Sequence, residues 1–271
     1  MMFVSVIIPA FNEEKFIEQC LLSVKNQTFK QLEIIVVDDG SKDRTVEISK
    51  KYADFVINQN HLGCGRARNA GAKAASGEIL VFIDADMRLH EECIEKLIAP
   101  ITEGLHKGTC VVNEMVENPE NKWSKLWSIA HNLPYDRRIP EGIEYMDTFR
   151  AVLKKEFLES GGYYEDRAAG EDKIGERIGF LAYAAKGAVI YHNNPDTFAR
   201  CMKDAEKFGR GCGISVKGNK ILKFIFKYSI FRSVPAGIYK AAAHKKPGFI
   251  FFKIALDFMI LSGFIRSFFI K

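Results

Sequence analysis

Two aspartates separated by one residue, Asp84 and Asp86, have the types and spacing to hold a divalent metal ion. They follow an apolar run over 79–83 that predicts a buried strand. In an extended chain residues i and i+2 point the same way, so both carboxylates face one side. Mg²⁺ or Mn²⁺ is bound by few carboxylates together with phosphate oxygens. The pair predicts a metal and diphosphate site; two solvated loop acids before a helix are the alternative.

A second acidic cluster, Asp38-Asp39-Gly40-Ser41, ends the apolar run 33–37. A carboxylate here can accept a hydrogen bond from a nucleobase or a ribose hydroxyl. Asp-Gly is also a common turn dipeptide, and the two roles are compatible because Gly40 would make the turn that aims Asp39. Phe11, which follows the first apolar run, offers an aromatic face for the base, although packing is the commoner role of such a residue.

Residues 63–71 open a predicted helix with glycines and two arginines, Arg66 and Arg68. Helix N-termini attract phosphate groups, and glycine permits close approach of the backbone. The segment is not a dinucleotide fingerprint, because it does not follow the first strand. We expect the arginines to attract the phosphates of a ligand; a plain helix start with solvated arginines is the alternative.

Two further candidates lie in the second half of the chain. Glu171-Asp172 begins a helix after a glycine-rich loop, and a carboxylate there can deprotonate an acceptor hydroxyl. Acidic residues also stabilise helix starts without any catalytic role. His192 follows an apolar strand and can complete a metal site, although a lone histidine at a strand end is often structural.

Alternating apolar and amphipathic segments must position these residues. We expect strands over 3–8, 33–37, 54–57, 78–83, 147–153 and 182–191, and helices over 13–26, 43–51, 67–75, 91–101, 171–179 and 195–209. Continuous apolar strands that alternate with helices predict an α/β fold with a parallel sheet covered on both faces. Ligands of such sheets bind beyond the carboxyl ends of the strands, where Phe11, Asp39 and Asp84 are expected.

Length and composition fit this class of protein. A chain of 271 residues with 47% hydrophobic residues can bury a full core without covalent staples. The six cysteines form no CxxC pair and no zinc-like spacing, which favours small core residues in a reducing compartment. Residues 1–9 lack the basic segment of a signal peptide, so we expect a cytoplasmic location.

Charge is unevenly distributed along the chain. Residues 217–271 contain eleven Lys or Arg and one acid, Asp257, so their net charge is +10, whereas the remainder is −5. Because this tail is also rich in Phe, Ile and Leu, we expect it to attach the protein to the cytoplasmic face of a membrane rather than to nucleic acid. No run is long enough for a confident span, since Lys253 and Asp257 interrupt the best candidate. Packing on the catalytic domain or a homodimer contact is the alternative.

The motifs together resemble those of glycosyltransferase family 2, with its GT-A fold, over about residues 4 to 211. The resemblance is carried by Val4–Glu13, Val36–Ser41, Ala67–Gly71, Ile83–Asp86, Gly161-Gly162-Tyr163 and Gly170-Glu171-Asp172. It implies a Rossmann-like, mostly parallel sheet and transfer of a sugar from a nucleotide-sugar donor, a UDP- or GDP-sugar, with inversion. Residues 113–146 and 212–271 match no motif of the family, so the acceptor, a glycan or a lipid-linked one, is not identified.

Roles and domains follow from the resemblance. Asp172 would be the base, Asp39 would contact the nucleobase, and Mg²⁺ or Mn²⁺ would be held by Asp84, Asp86 and His192. The residues expected to bind the nucleotide sugar are Pro9, Phe11, Glu13, Asp39, Arg66, Arg68, Asp84 and Ala85. We expect a catalytic domain over 1–211, with a donor half over 1–112 and an acceptor half over 113–211, followed by a helical, amphipathic extension over 212–271.

Two other functions remain open at this point. A sugar-phosphate nucleotidyltransferase is also α/β with acidic metal ligands, but it would carry a glycine-rich, basic loop after its first strand, where residues 9–14 are acidic and lack glycine. A nucleotide-sugar-binding scaffold without activity is disfavoured by the presence of all four acids at 39, 84, 86 and 172.

Overall fold

A computed structural model of the chain describes residues 2–164, 174–216 and 218–269. The strands are β1 (Val4–Ala10), β2 (Leu32–Asp38), β3 (Phe55–Asn58), β4 (Ile79–Phe82), β5 (Met87–Leu89), β6 (Gly108–Cys110), β7 (Asn113–Val116), β8 (Tyr145–Met146), β9 (Ala151–Leu153), β10 (Ala182–Ala184) and β11 (Val189–His192). The helices are α1 (Ile17–Lys25), α2 (Thr45–Tyr52), α3 (Cys64–Ala74), α4 (Cys93–Thr102), α5 (Lys122–His131), α6 (Lys154–Glu159), α7 (Ile174–Ile178), α8 (Phe198–Ser215), α9 (Lys220–Lys227), α10 (Ile230–Ala243) and α11 (Phe249–Arg266).

The main sheet has eight strands in the order β3-β2-β1-β4-β9-β6-β10-β8. Its first four strands are parallel, and the expected parallel α/β arrangement is confirmed there. Beyond β4 the sheet is mixed, because β9 runs antiparallel to both of its neighbours. Since β2, β1 and β4 are adjacent and parallel, the residues that follow them meet at one edge of the sheet.

A second sheet of three strands, in the order β5-β11-β7, stands apart from the first. The single strand expected over 182–191 is wrong: the segment forms β10 in the main sheet and β11 in the small one. Gly187 has a positive φ of 81° and turns the chain between them. This break matters for the site because it places His192 opposite Met87, one residue after Asp86.

Apolar side chains cover both faces of the parallel strands. Alternate residues of β1 belong to two separate core clusters, with Val6 and Ile8 on one face and Ile7 on the other. On the second face α3 lies very close to β1, since a Cβ added at Gly71 would overlap the side chain of Ile7. The glycine therefore fixes how closely the arginine-bearing helix approaches the sheet.

The described residues divide into two units. The sheet unit comprises residues 2–115, 137–164 and 174–192, and the helical unit comprises residues 116–136, 193–216 and 218–269. Helix α8 therefore groups with the C-terminal helices, whereas the sequence placed it before a boundary at residue 211. Helix α5, in a stretch for which no element was expected, belongs to the same unit.

The helical unit is built on an unusually close crossing of α8 and α11. A Cβ at Gly209 would overlap the carbonyl oxygen of Ile260, and one at Gly263 would overlap that of Glu206. Within the unit Asp257 is buried, with a Lys253 Nζ–Oδ1 distance of 2.6 Å and a hydrogen bond of 2.6 Å from Ser233 Oγ. Helix α11 thus packs its polar pair inward, and no described helix has the length and hydropathy that crossing a bilayer demands.

Candidate active site

Three polar clusters converge at the carboxyl edge of the parallel strands, as the sequence predicts. Asp38 ends β2, Phe11 follows β1, and Asp84 lies two residues beyond β4. Asp38 accepts hydrogen bonds from the backbone of Gly40 and Ser41 at 3.1 and 3.0 Å, so it shapes the turn itself. The φ of 85° at Gly40 is a conformation that glycine adopts without strain.

Asp39 is buried and holds the loop that leads into α3. Its carboxylate accepts hydrogen bonds from Gln59 Nε2 at 2.6 Å, from the Leu62 amide at 2.7 Å and from the Gly63 amide at 3.0 Å. The amides before α3, where a phosphate was expected, therefore already face a carboxylate of the protein. Because these donors already occupy the carboxylate, a nucleobase that contacts Asp39 would have to replace one of these hydrogen bonds. The contact of Asp39 with a nucleobase stays a prediction.

A pair of aromatic rings, Phe11 and His61, lies beside this loop. The rings of Phe11 and His61 have centroids 4.1 Å apart, and the Phe11 side chain is partly exposed. Pro9, also expected in the donor site, is buried within β1, and Glu13 donates its backbone amide to Thr45 Oγ1 at 2.8 Å. Phe11 is thus the member of this group whose side chain is available for stacking on a base.

Asp84 lies between two guanidinium groups. Arg68 Nη2 is 2.6 Å from Oδ1 and Arg150 Nη1 is 3.1 Å from Oδ2. Burial opposes ionisation, but the two arginines outweigh it and hold the pKa of Asp84 well below its usual range. Arg68 is therefore engaged in an ion pair with Asp84. Arg66 is half-buried in the first turn of α3. Contact of either arginine with a sugar donor stays a prediction.

Asp86 faces His192 instead. His192 Nε2 lies 3.3 Å from Asp86 Oδ2, and His192 Nδ1 lies 2.7 Å from Glu114 Oε1. Burial and the nearby Arg138 favour the neutral ring, but the two carboxylates raise the pKa of His192 to about 9. His192 thus lies within hydrogen-bonding distance of both acids, and Arg138 Nε lies 3.0 Å from the same oxygen of Glu114. Ala85, between the aspartates, is buried.

The predicted ligand set of Asp84, Asp86 and His192 is therefore not gathered at one point. Among residues 2–164, 174–216 and 218–269, no three His, Cys, Asp or Glu side chains are grouped to hold a metal ion. The pair of Asp86 and His192 does fit one, because a metal bound to diphosphate oxygens requires few protein ligands. If His192 binds a metal ion, Glu114 at Nδ1 would be the outer partner that orients its ring.

Two of the sequence motifs, 67–71 and 161–163, are joined by hydrogen bonds. The Asn69 side chain of α3 donates to the Tyr163 carbonyl at 2.9 Å and accepts from the Tyr163 amide at 2.8 Å. Gly162, with a φ of 66°, has no room for a Cβ beside Asn69 Oδ1. Helix α3 thus anchors the chain just before residues 165–173, and the predicted Glu171 and Asp172 lie outside the described residues.

Glu114, Arg138 and Arg150 were missed by sequence reasoning. Arg150 comes immediately before β9 in the segment expected as a strand, and its charge at the edge of an apolar run was the available signal. Glu114 and Arg138 lie in the stretch 113–146, where no pattern matched any motif. They approach His192 only because β7 and β11 belong to one small sheet.

Comparison with known proteins places these motifs in a family. Residues 5–162 match the family described as Glycosyl transferase family 2. The chain is 33% identical over 175 residues to the GalNAc(5)-diNAcBac-PP-undecaprenol beta-1,3-glucosyltransferase of Campylobacter jejuni, covering 60% of this chain and 55% of that protein. It is 38% identical over 108 residues to glycosyltransferase AglE of Haloferax volcanii, covering 37% and 36%. The chain thus spans about half of the length of these curated relatives, or less.

Solved structures share the fold at low sequence identity. The mannosyltransferase PcManGT of Pyrobaculum calidifontis, in complex with GDP-Man and Mn²⁺, gives a TM-score of 0.63 at 16% identity and covers 100% of this chain and 88% of its own. TarS 1-349 of S. aureus, in complex with UDP, gives 0.60 at 17% identity, covering 98% and 92%. These likenesses confirm the expected α/β fold of the GT-A kind, with C-terminal helices.

Proposed function

This chain belongs to glycosyltransferase family 2, and we propose that it transfers a sugar from a UDP- or GDP-sugar to a hydroxyl group with inversion at the anomeric carbon, in the presence of Mg²⁺ or Mn²⁺. The observation that carries the proposal is the pairing of Asp86 with His192 beside an Asp84 held by two arginines. Acidic and basic groups of this kind, at the carboxyl edge of parallel strands, suit a nucleoside diphosphate.

The donor would bind across this edge of the sheet. Phe11 would stack on the base, and the turn around Gly40, held by Asp38 and Asp39, would receive the ribose. Asp86 and His192 would hold the metal ion, which supplies positive charge to the diphosphate leaving group. Arg68 and Arg150 keep Asp84 ionised and fixed in position, so that its carboxylate can be offered to the ribose or to the metal.

The reaction we propose is a single displacement. Asp172 takes the proton of the acceptor hydroxyl, and the acceptor oxygen forms a bond to the anomeric carbon. The bond from that carbon to the diphosphate oxygen breaks, and its electron pair leaves with the nucleoside diphosphate. With one base and no second nucleophile, an α-linked donor gives a β-linked product.

The acceptor is proposed to be a glycan or a lipid-linked molecule near a membrane surface. Support comes from exposed apolar side chains of the helical unit that alternate with lysines, such as Phe226 beside Lys223 and Lys227 in α9. Phe251, Phe258 and Ile265 form an exposed stripe with a spacing of seven along α11. The undecaprenol in the name of the Campylobacter jejuni relative agrees with a lipid-linked acceptor. A homodimer formed through the same helices is the alternative use of this surface.

A donor panel tests the proposal. Purified protein with Mg²⁺ or Mn²⁺ is presented with UDP-, GDP- and dTDP-sugars, and binding and slow hydrolysis are measured. We expect one nucleotide class to bind with metal and to lose binding with EDTA. Release of pyrophosphate from a sugar phosphate and a nucleoside triphosphate would instead indicate a nucleotidyltransferase, and binding without any turnover would indicate a scaffold. The anomeric proton of the product, observed by NMR, reports inversion or retention.

A further inference from the structure

An apolar cavity of about 420 Å³, partly open to solvent, is formed by residues of the helical unit. Its walls come from α5, from the start of α8 and from the first turns of α11, and they include Trp123, Leu126, Phe252 and Ala255. The volume falls in the range of about 300–1,000 Å³ typical of small-molecule sites. Because aromatic and aliphatic groups dominate the lining, it favours an occupant that is largely hydrocarbon.

The polar part of the lining has one sign of charge. Lys122 and Lys246 both contribute to the wall, and no Asp or Glu of the described residues does. Lys122 is exposed, with its Nζ 4.8 Å from the centre of the Trp123 ring, so its ammonium group stays beside the aromatic wall. A ligand that combines an apolar chain with an anionic head satisfies both features of the cavity.

Exposed aromatic rings continue outward from the cavity. Phe251 belongs to the lining but is 79% exposed, and Phe198, whose ring centroid is 5.4 Å from that of Trp123, is 42% exposed. An apolar surface that runs from a cavity to solvent is unfavourable in water and suits contact with the hydrocarbon of a bilayer.

We propose that this cavity binds one hydrocarbon chain of an anionic lipid, with the lipid phosphate between Lys122 and Lys246. The site extends the membrane contact proposed above from a surface attraction to the capture of an individual lipid. It does not depend on which sugar is transferred. A single chain adds only marginal, reversible membrane affinity, so the site would orient the helical unit on the surface rather than anchor it.

The test uses a lipid that dissolves as a monomer, so that vesicle binding plays no part. Dihexanoyl phosphatidylglycerol, below its micelle concentration, is titrated into the full chain carrying Trp127→Phe, which leaves Trp123 as the sole tryptophan. We expect saturable binding of one lipid, reported by Trp123 fluorescence. Dihexanoyl phosphatidylcholine should bind more weakly, as should glycerol phosphate, which has no chain. Equal binding of the phosphatidylcholine would overturn the role of the lysines, and equal binding of glycerol phosphate would overturn the role of the chain.

Variants locate the site. Ala255→Phe fills the cavity and should weaken binding by at least about tenfold, since even one methylene group matters that much in an apolar pocket. Lys246→Gln should cost about fivefold, the equivalent of about 1 kcal/mol per basic residue near an anionic lipid. Lys245→Gln, at an exposed neighbour outside the lining, is its matched control and should bind normally.

A labelled lipid tests the site without relying on the Ala255→Phe variant, which could fail to fold. Phosphatidylglycerol with a brominated chain should quench Trp123 in the protein that retains Ala255, and it should quench less when unlabelled lipid competes. Absence of quenching, or normal binding by a folded Ala255→Phe protein, contradicts the proposal. Vesicle flotation that persists while monomer binding fails would leave the surface contact intact and remove only the lipid site.

Discussion

His192 Nε2 lies 3.3 Å from a carboxylate oxygen of Asp86, although 106 positions separate the two residues in the sequence. The contact is made by the small sheet, where His192 pairs with Met87 across β11 and β5. Because Asp86 directly precedes β5 and His192 ends β11, the paired backbone of these two strands positions both side chains.

Asp86→Asn should abolish metal-dependent turnover of the donor. The substitution keeps the size of the side chain but removes the negative charge that a divalent cation requires. Turnover and Mn²⁺-dependent nucleotide binding are measured with and without EDTA. Glu103→Gln, at an exposed acid after α4, is the control and should behave as the unsubstituted chain does. Full activity of Asp86→Asn would remove this residue from the metal site.

Arg150→Met should destabilise the fold by about 1–3 kcal/mol, because Asp84 would keep only one of its two cationic partners in a largely buried position. Urea denaturation followed by circular dichroism measures the change. Arg150→Lys retains the charge and should recover part of the loss. Equal stability of all three proteins would mean that Arg68 alone is sufficient for Asp84.

Asp172→Asn should retain donor binding and lose transfer by about 10²–10⁴-fold, the typical contribution of a general base. Nucleotide binding by calorimetry and transfer rates on the same preparation separate the two effects. Glu171→Gln is the neighbouring control. If Glu171→Gln loses transfer while Asp172→Asn does not, the base is Glu171.

Gly263→Ala should lower the stability of the helical unit by about 1–3 kcal/mol or more, since the added methyl group overlaps the backbone of α8. Gly248→Ala is the matched control at the start of α11, where an added Cβ meets nothing within 4 Å. Its effect should stay within about 1 kcal/mol. Thermal unfolding of both variants measures the difference in stability. Equal midpoints would mean that α8 and α11 can move apart without loss of stability.

Flotation with anionic liposomes should weaken by about tenfold or more when Phe226 and Phe231 are both changed to serine, since both side chains are exposed and available to a bilayer. Leu105→Ser, which removes an equally exposed apolar residue from the sheet unit, is the control. Raised salt should reduce flotation of the unsubstituted protein. Substitutions are better than truncation here, because removing α11 would also uncover the glycines of α8.

The parallel half of the fold follows from the sequence because its signals are local. The runs around β1, β2 and β4 are predominantly apolar, and polar residues that can be recognised in isolation end or follow each of them. The run 182–191 is also mostly apolar, but it belongs to two sheets. Lys186 and Gly187 interrupt it, and a short polar interruption of an apolar run is weak evidence of a break.

The site was predicted in part, for a similar reason. Asp84 and Asp86 could be found from their strand, whereas Arg150, a partner of Asp84, lies 66 positions away with no shared motif. Glu114 was missed because it reaches the site only through His192. Tertiary contacts also separated the two aspartates, since one faces arginines and the other a histidine. The spacing of the motif suggested a shared role in metal binding, which stays a prediction for both residues.

The order in which the chain passes between the two units restricts which segments can be exchanged between related proteins by recombination. The helical unit contains residues 116–136 as well as everything described from 193 onward, so the chain leaves the sheet unit, returns to it and leaves again. A chimera joined at a single point after residue 192 would combine α5 of one parent with α8 and α11 of the other. Recombination that preserves this core must therefore transplant two segments together, so the helical unit is inherited as a pair of distant blocks.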